Sequence, residues 1–296
     1  MKFTGLTYRP PFEADSLLLQ VTAGCSHNRC SFCTMYKGVP FEKESIEQIE
    51  TDLNEASAYA DRVRRVFLEN GDPFCLDFGS LKRTAELIHK YLPNVSVIVM
   101  YASIGNIKSK TDEELKSLRG LGINELNIGV ESGMDDALKL MNKGYTAAEA
   151  VRQLKRLKNA GMDWGANVIF GCAGSGRGRQ NALLTAQLLN MTEPYLIFTG
   201  TVHADPGCPL YDDMASGAFR ESTVREYIDE EKTLLKHLEV ENCLYFGLHP
   251  SNMVRMQGYL PRDRDALIEH LADSEKRLGP YLDKRPERGG EGAVYL

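Results

Sequence analysis

The sequence has no long apolar segment and no excess of positive charge. Its longest apolar runs, at 96–102 and 165–173, are far shorter than the roughly 20 residues that a helix needs to cross a bilayer. The first fifteen residues contain no apolar core of a signal peptide, so we expect a cytoplasmic protein without a membrane partner. The formal net charge of −6 argues against a nucleic-acid partner held through phosphate contacts.

The pattern of paired cysteines that marks a disulfide framework is also missing. The chain has seven cysteines, an odd number, and three of them (Cys25, Cys30 and Cys33) fall within nine residues. The other four stand apart, at Cys75, Cys172, Cys208 and Cys243. We expect these four to pack as small hydrophobic side chains and not to form an auxiliary cluster.

Strand and helix patterns alternate along the chain. Apolar segments bounded by turn residues predict six strands, at 16–22, 65–69, 95–101, 125–129, 163–170 and 195–201. Helical patterns separate them, and two more helices are predicted at 224–238 and 262–278. Six such units predict an α/β fold, a partial (β/α)6 TIM-like barrel with a C-terminal helical extension. We expect one domain over 1–280, with C-terminal helices from about 220, and a flexible tail over 281–296.

The loops that follow parallel strands open at one mouth of such a fold, and the first of them carries the three cysteines. Their spacing is Cys-x4-Cys-x2-Cys. Three thiolates on a short loop can hold a metal centre. A structural zinc ion needs a fourth protein ligand, and none stands at a suitable spacing. A [4Fe–4S] cluster has four iron sites, so three cysteines leave one iron open to another ligand.

This arrangement resembles the radical S-adenosylmethionine (SAM) superfamily, and the chain is identified as a member of its Elp3/MiaB/HemN-like branch. The resemblance covers about residues 15–280, and the first gap holds four residues where three are usual. It implies that Cys25, Cys30 and Cys33 hold the cluster and that the open iron binds SAM. It further implies that reductive cleavage of SAM yields a 5′-deoxyadenosyl radical, which abstracts hydrogen from the substrate.

Two elements near the cysteines resemble SAM-binding parts of the family. Phe32 precedes the last cysteine, as an aromatic residue usually does there, and the resemblance implies a backbone contact to adenine. The turn Asn70-Gly71-Asp72-Pro73 resembles the Gly-Gly-Glu element, which binds the SAM amino group. The resemblance therefore implies cofactor-binding roles for Gly71, Asp72 and Pro73. Asp72 stands where glutamate is common in the family.

Three later positions complete the implied SAM site. Ser103 follows the third predicted strand and is expected to line the pocket. Glu131 lies in a segment similar to the family's fourth strand, where the glutamate contacts the SAM ribose or amino group. Arg177 or Arg179, after the fifth strand, is expected to pair with the methionyl carboxylate, because a guanidinium fork matches a carboxylate.

The substrate and the reductant are constrained less closely. The sequence shows no RNA-binding module or cysteine-rich auxiliary domain, so we expect a small or medium substrate. The reducing electron must come from outside, which implies a partner of the flavodoxin or ferredoxin type. We predict that the loops at 203–219 and 245–260 cover the site. The alternative is an iron–sulfur electron-transfer protein or a SAM-binding protein without radical catalysis.

Overall fold

A computed structural model describes residues 1–5 and 7–286. Within them, strands and helices alternate as the sequence predicts. The strands are β1 (Leu17–Gln20), β2 (Thr22–Ala23), β3 (Glu42–Lys43), β4 (Arg65–Glu69), β5 (Val97–Ala102), β6 (Ile123–Glu131), β7 (Asp163–Phe170), β8 (Leu196–Thr201), β9 (Cys243–Phe246) and β10 (Gln257–Leu260). The helices are α1 (Ile46–Ala56), α2 (Phe78–Tyr91), α3 (Ile104–Lys108), α4 (Asp112–Gly120), α5 (Asp135–Leu140), α6 (Ala147–Asn159), α7 (Gly178–Thr192), α8 (Pro209–Ser216), α9 (Val224–His237) and α10 (Arg264–Leu278).

Eight of these strands belong to a mostly parallel sheet, and β2 pairs with β3 as a separate antiparallel ribbon. The chain divides into two compact units. The first unit comprises Met1–Asn28, Met35–Ile128 and Arg152–Trp164. The second comprises Arg29–Thr34, Gly129–Val151 and the described residues from Gly165 onward. The unit boundary therefore falls inside the cysteine loop.

In the first unit, β1, β4, β5 and the start of β6 pair in parallel in that order. These strands are rich in Val, Ile, Leu and Phe, as expected of parallel strands. Helices α1, α2 and α4 begin at side-chain caps, and α4 has the capping box of Thr111 and Glu114 that its sequence predicts. The apolar face of α1 is buried through Ile49, Leu53 and Ala56.

One face of β4 carries a polar contact at its amino end. Arg65 donates two hydrogen bonds to Glu13, one of them 2.8 Å long, and two to Glu125, one of them 2.9 Å long. Two residues further along the same face, Phe67 packs edge-on against Tyr101, with ring centroids 5.3 Å apart. Because strand side chains alternate between faces, Glu69 lies on this same face at the carboxyl end of β4.

In the second unit, β7, β8 and β9 are parallel, and β10 runs antiparallel to β9. The C-terminal extension contains helices α9 and α10, and the strands β9 and β10 lie between them in sequence without having been predicted. The covering loop predicted at 245–260 is also wrong at its two ends, since β9 pairs Phe246 with Phe198 and Tyr245 is fully buried. A four-residue strand has too few residues to show a clear alternation, so its partner strand decides its conformation.

The end of the described chain is tied to α9. The backbone N–H of Val224 donates to the carbonyl of Lys284, that of Arg225 donates to Leu282, and Leu282 is buried. The rest of the predicted tail, 287–296, lies outside the described residues. In the part of the chain that the structure describes, no helix has both the length and the apolar character needed to span a membrane.

Candidate active site

The start of the cysteine loop is packed against the turn after β4, within the first unit. The N–H of Gly71 donates to the carbonyl of Gly24 at 3.1 Å, next to Cys25. A Cβ added at Gly71 would lie 2.7 Å from the Cβ of Cys25 and 2.8 Å from a ring carbon of Tyr36. No real Cβ tolerates such contacts, so only glycine allows the turn to approach Cys25 this closely.

The buried side chain of Asp72, in the same unit, links the cysteine loop to helix α3. Its carboxylate accepts hydrogen bonds from Ser26, next to Cys25, and from the amide of Asn106 in α3. Ser103 caps that helix by accepting from the N–H of Asn106 at 3.2 Å. Pro73 follows Asp72 in the turn and is buried. The structure therefore brings together four predicted site residues of the first unit, Gly71, Asp72, Pro73 and Ser103. The bond from Ser26 shows that Asp72 also anchors the start of the cysteine loop.

The remainder of the cysteine loop, Arg29–Thr34, belongs to the second unit. The hydroxyl of Ser31 donates to the carbonyl of Leu140 at 2.8 Å, and its N–H donates to Met141 at 3.1 Å. The amide of Asn142 donates to the carbonyl of Arg29 at 2.7 Å. The segment thus docks on the C-terminal end of α5 and carries Cys30, Phe32 and Cys33 with it. The sequence reasoning missed Ser31 and Asn142, because neither belongs to a motif.

The three cysteines have the donor chemistry that an iron–sulfur cluster needs. Each is half-buried and is a thiol, not a disulfide. Cys25 belongs to the first unit, and Cys30 and Cys33 belong to the second. Among residues 1–5 and 7–286, no set of three His, Cys, Asp or Glu side chains lies close enough to hold a metal ion. The donor set and the glycine contact at Cys25 both fit a cluster bound by this loop.

Glu131 forms a buried ion pair at the end of β6. Its carboxylate accepts from the ammonium of Lys143 at 2.9 Å, and both side chains are nearly inaccessible. Burial lowers the pKa of Lys143, but the negative charges of Glu131, Tyr145 and the Cys30 thiolate outweigh it and hold the pKa well above 10.5. Glu131 also has a left-handed backbone, with φ of 61°. Such strain in a non-glycine residue is typical of functional sites.

The glycine-rich loop after β7 is held by two carboxylates of α9. Glu230 accepts from the N–H of Gly171 at 2.9 Å and from Asn181 at 2.6 Å. Glu226 accepts from the N–H of Gly176 at 2.6 Å and from Ser175. Burial raises the pKa of Glu230 to about 7, although the bonds from Asn181 and Gly171 oppose this. The sequence did not indicate either glutamate as a site residue, because both lie some fifty residues after the glycine-rich loop.

The two arginines of this loop are exposed. Arg177 precedes α7 and pairs with Asp136 at 2.6 Å, and Arg179 lies in the first turn of that helix. An exposed ion pair contributes little stability, about 0–1 kcal/mol, so Arg177 can change partners at small cost. The structure therefore leaves either guanidinium available for a carboxylate.

The remaining four cysteines lie outside the cysteine loop at 25–33. Cys172, Cys208 and Cys243 are buried, and Cys75 is half-buried. Burial raises the pKa of Cys75 to about 11 and that of Cys243 to about 12. Thiols with such pKa values are poor thiolate ligands at neutral pH.

Comparison with known proteins gives the family. The model of the Radical SAM superfamily matches residues 19–177, which is more than half of the chain. The chain belongs to the radical SAM superfamily, a superfamily of enzymes that use a [4Fe–4S] cluster and SAM. The family predicted from the cysteine loop is confirmed, as are the two cofactors, and the electron-carrier alternative is not favoured.

Two curated relatives lie in the branch that the sequence indicates. The chain is 24% identical to the heme chaperone HemW of Buchnera aphidicola subsp. Schizaphis graminum over 206 residues, covering 68% of this chain and 54% of that protein. It is 26% identical to a tRNA-2-methylthio-N(6)-dimethylallyladenosine synthase of Idiomarina loihiensis over 294 residues, covering 93% and 60%. The chain therefore spans only about half of the first of these relatives, and less than two thirds of the second.

A solved structure shows the same fold. The radical SAM methyltransferase TsrM from Kitasatospora setae, with tryptophan and a SAM analogue bound, matches with a TM-score of 0.56 at 16% identity. The match covers 69% of this chain and 39% of that one. The predicted α/β class, with the partial barrel of radical SAM enzymes, is confirmed.

Proposed function

We propose that this chain cleaves SAM reductively and that Cys25, Cys30 and Cys33 hold the cluster. The observation that carries the proposal is the cysteine loop itself, whose ends are anchored separately through Gly71 and Asp72 and through Ser31. When bound, the cluster would supply the electron, delivered by an external donor, for reductive cleavage of SAM to methionine and a 5′-deoxyadenosyl radical, which would abstract hydrogen from a small or medium substrate. A flavodoxin or ferredoxin is the proposed electron donor, and residues 1–280 are the proposed domain.

The chain's own residues would bind and orient SAM. A carboxylate offers about four lone-pair positions, so Glu131 keeps acceptors for the SAM ribose or amino group beside its bond from Lys143. Asp72 would contact the SAM amino group from the turn after β4. Gly71 and Pro73 would shape the turn after β4, and Ser103, at the start of α3, would line the SAM pocket. In the second unit, Phe32 offers its backbone to adenine, and Arg177 or Arg179 pairs with the methionyl carboxylate.

The test is formation of 5′-deoxyadenosine. The full chain is reconstituted anaerobically with iron and sulfide, given SAM and dithionite, and the nucleoside is measured by mass spectrometry. We expect the wild type to form it and Cys33→Ala to lose it together with most of its bound iron. The matched control is Cys75→Ser, since Cys75 is also half-buried but lies outside the loop. Full product formation by Cys33→Ala would refute the assignment of the cluster ligands.

A further inference from the structure

A row of buried polar side chains in the first unit has hydrogen-bonding atoms without partners. Glu69, Asn70 and Asn127 are each at most 1% exposed. One carboxylate oxygen of Glu69, the side-chain oxygen of Asn70 and both polar side-chain atoms of Asn127 find no hydrogen-bond partner among the described residues. Native proteins satisfy most buried polar groups, so a local concentration of exceptions needs an explanation.

The strand register places Glu69 and Asn127 at one level, and Asn70 follows Glu69 in the turn after β4. Leu68 pairs with Met100, so the next residue, Glu69, lies level with Tyr101, which pairs with Asn127. They also share a face, because Arg65 and Glu125 touch each other. Arg65 lies four residues before Glu69 and Glu125 lies two residues before Asn127, and even spacings keep side chains on one face of a strand.

The same face is filled in layers below this row. The Arg65 contacts close its amino end, and the rings of Phe67 and Tyr101 form the next layer. The unsatisfied atoms form the next layer. Glu69 is the last residue of β4, at the strand end where ligands bind in parallel α/β folds, and Asn127 is the middle residue of β6. Asn70 adds a left-handed backbone, with φ of 80°, and donates to Glu69 at 3.1 Å.

The balance of donors and acceptors indicates the ligand. Three of the four unsatisfied atoms are acceptors, on Glu69, Asn70 and Asn127, and the amide nitrogen of Asn127 is the one donor. The row holds no cationic side chain, and Arg65 below it is already paired with Glu13 and Glu125. An anion would meet uncompensated acceptors here, whereas an ammonium group would satisfy them.

The spacing sets the size of the ligand. Adjacent strands lie about 4.8 Å apart, so Glu69 and Asn127, with one strand between them, are separated by about 10 Å at Cα. One ion does not reach both ends, but a small molecule does. Asn127, with one donor and one acceptor, matches a hydroxyl or an amide at the far end of such a molecule.

We propose that Glu69, Asn70 and Asn127 recognise the substrate, and that this substrate is a small amine with a second hydrogen-bonding group. The proposal rests on the proposed function, because it assigns the molecule from which hydrogen is abstracted. Burial raises the pKa of Glu69 to about 7, and an incoming ammonium group would favour its charged form.

The experiment is thermal unfolding of the reconstituted full chain with two matched probes. The first probe is 4-amino-1-butanol, and the second is 4-hydroxybutyrate, which carries an anion in place of the amine. We expect the amine to raise the Tm by about 1–3 °C and the anion to leave it unchanged. Glu69→Gln and Asn127→Leu should each lose most of the shift, and Glu86→Gln, at an exposed carboxylate of α2, should keep it.

Several outcomes would overturn the proposal. These are an equal shift with 4-hydroxybutyrate, an amine shift that persists in both Glu69→Gln and Asn127→Leu, and a tenfold weaker SAM affinity in both, which would assign the row to SAM. A lower Tm of Asn127→Leu without probe would also count against it, because removal of two unsatisfied atoms should stabilise the unliganded protein. Failure of the wild type to form 5′-deoxyadenosine is a separate result, since probe binding does not require SAM cleavage.

Discussion

Gly71→Ala should displace a proposed cluster ligand without straining the backbone. The new Cβ would stand 2.7 Å from the Cβ of Cys25 and 2.8 Å from Tyr36. Ordinary carbon contacts are about 3.5–4.0 Å, so the turn and the cysteine must separate by about 1 Å. The Cβ of Cys25 is attached directly to the backbone and cannot rotate away. Overpacking of this kind costs about 1–3 kcal/mol in free energy of unfolding.

The consequence for cluster binding should exceed the loss of stability. Metal–ligand distances tolerate only about ±0.2 Å, so a shift of about 1 Å removes Cys25 from a productive position. We expect at least about half of the bound iron to be lost on gel filtration after reconstitution, and the Tm to fall by several degrees.

The matched control for this variant is Gly38→Ala, where an added Cβ meets nothing within 4 Å. That protein should retain iron as the wild type does. Wild-type iron content and wild-type Tm in Gly71→Ala would refute the steric reasoning. Loss of iron in both variants would show that the loop is sensitive to any added methyl group.

Two further predictions concern buried charges in the second unit. Lys143→Met leaves the buried carboxylate of Glu131 unpaired and should lower the free energy of unfolding, measured in urea, by about 3–5 kcal/mol. The control Lys139→Met, at an exposed position, should lower it little. Equal effects of the two substitutions would contradict the buried ion pair. Burial raises the pKa of Glu231 from 4.5 to about 8, although the hydrogen bond from Tyr245 opposes this. Between these two pH values the unfolded chain binds fewer protons than the folded protein. The free energy of unfolding of the wild type should therefore fall as the pH rises through this range. Glu231→Gln should flatten this part of the stability profile by a few kcal/mol, and an unchanged slope would contradict the raised pKa.

Local signals predicted most of the fold. The strands Arg65–Glu69 and Asp163–Phe170 have the bounds that their patterns predict, since apolar residues and chain-breaking turns delimit them. The strands β9 and β10 were missed because each has only four residues. Helix α8 was missed as well, since its segment was predicted to be a loop.

The candidate site divides in the same way. The cysteine spacing, the turn at Gly71 and the loop after β7 are continuous in sequence, so their chemistry could be predicted from neighbouring residues. The carboxylates of Glu226 and Glu230 hold that last loop from a distant helix, and no local pattern indicates them. The predicted SAM contacts themselves stay predictions.

Two acids three residues apart show what sequence and tertiary structure each contribute. By itself, the sequence determined the cysteine loop, the order of strands and helices, and hence the family, because these depend on spacing along the chain. It places Glu69 at the end of a strand and Asp72 in the turn that follows, with no local signal that distinguishes the roles of the two carboxylates. Only tertiary packing decided that Asp72 is bonded to Ser26 and Asn106 while Glu69 keeps an unsatisfied oxygen, because the partners of a buried carboxylate come from other elements.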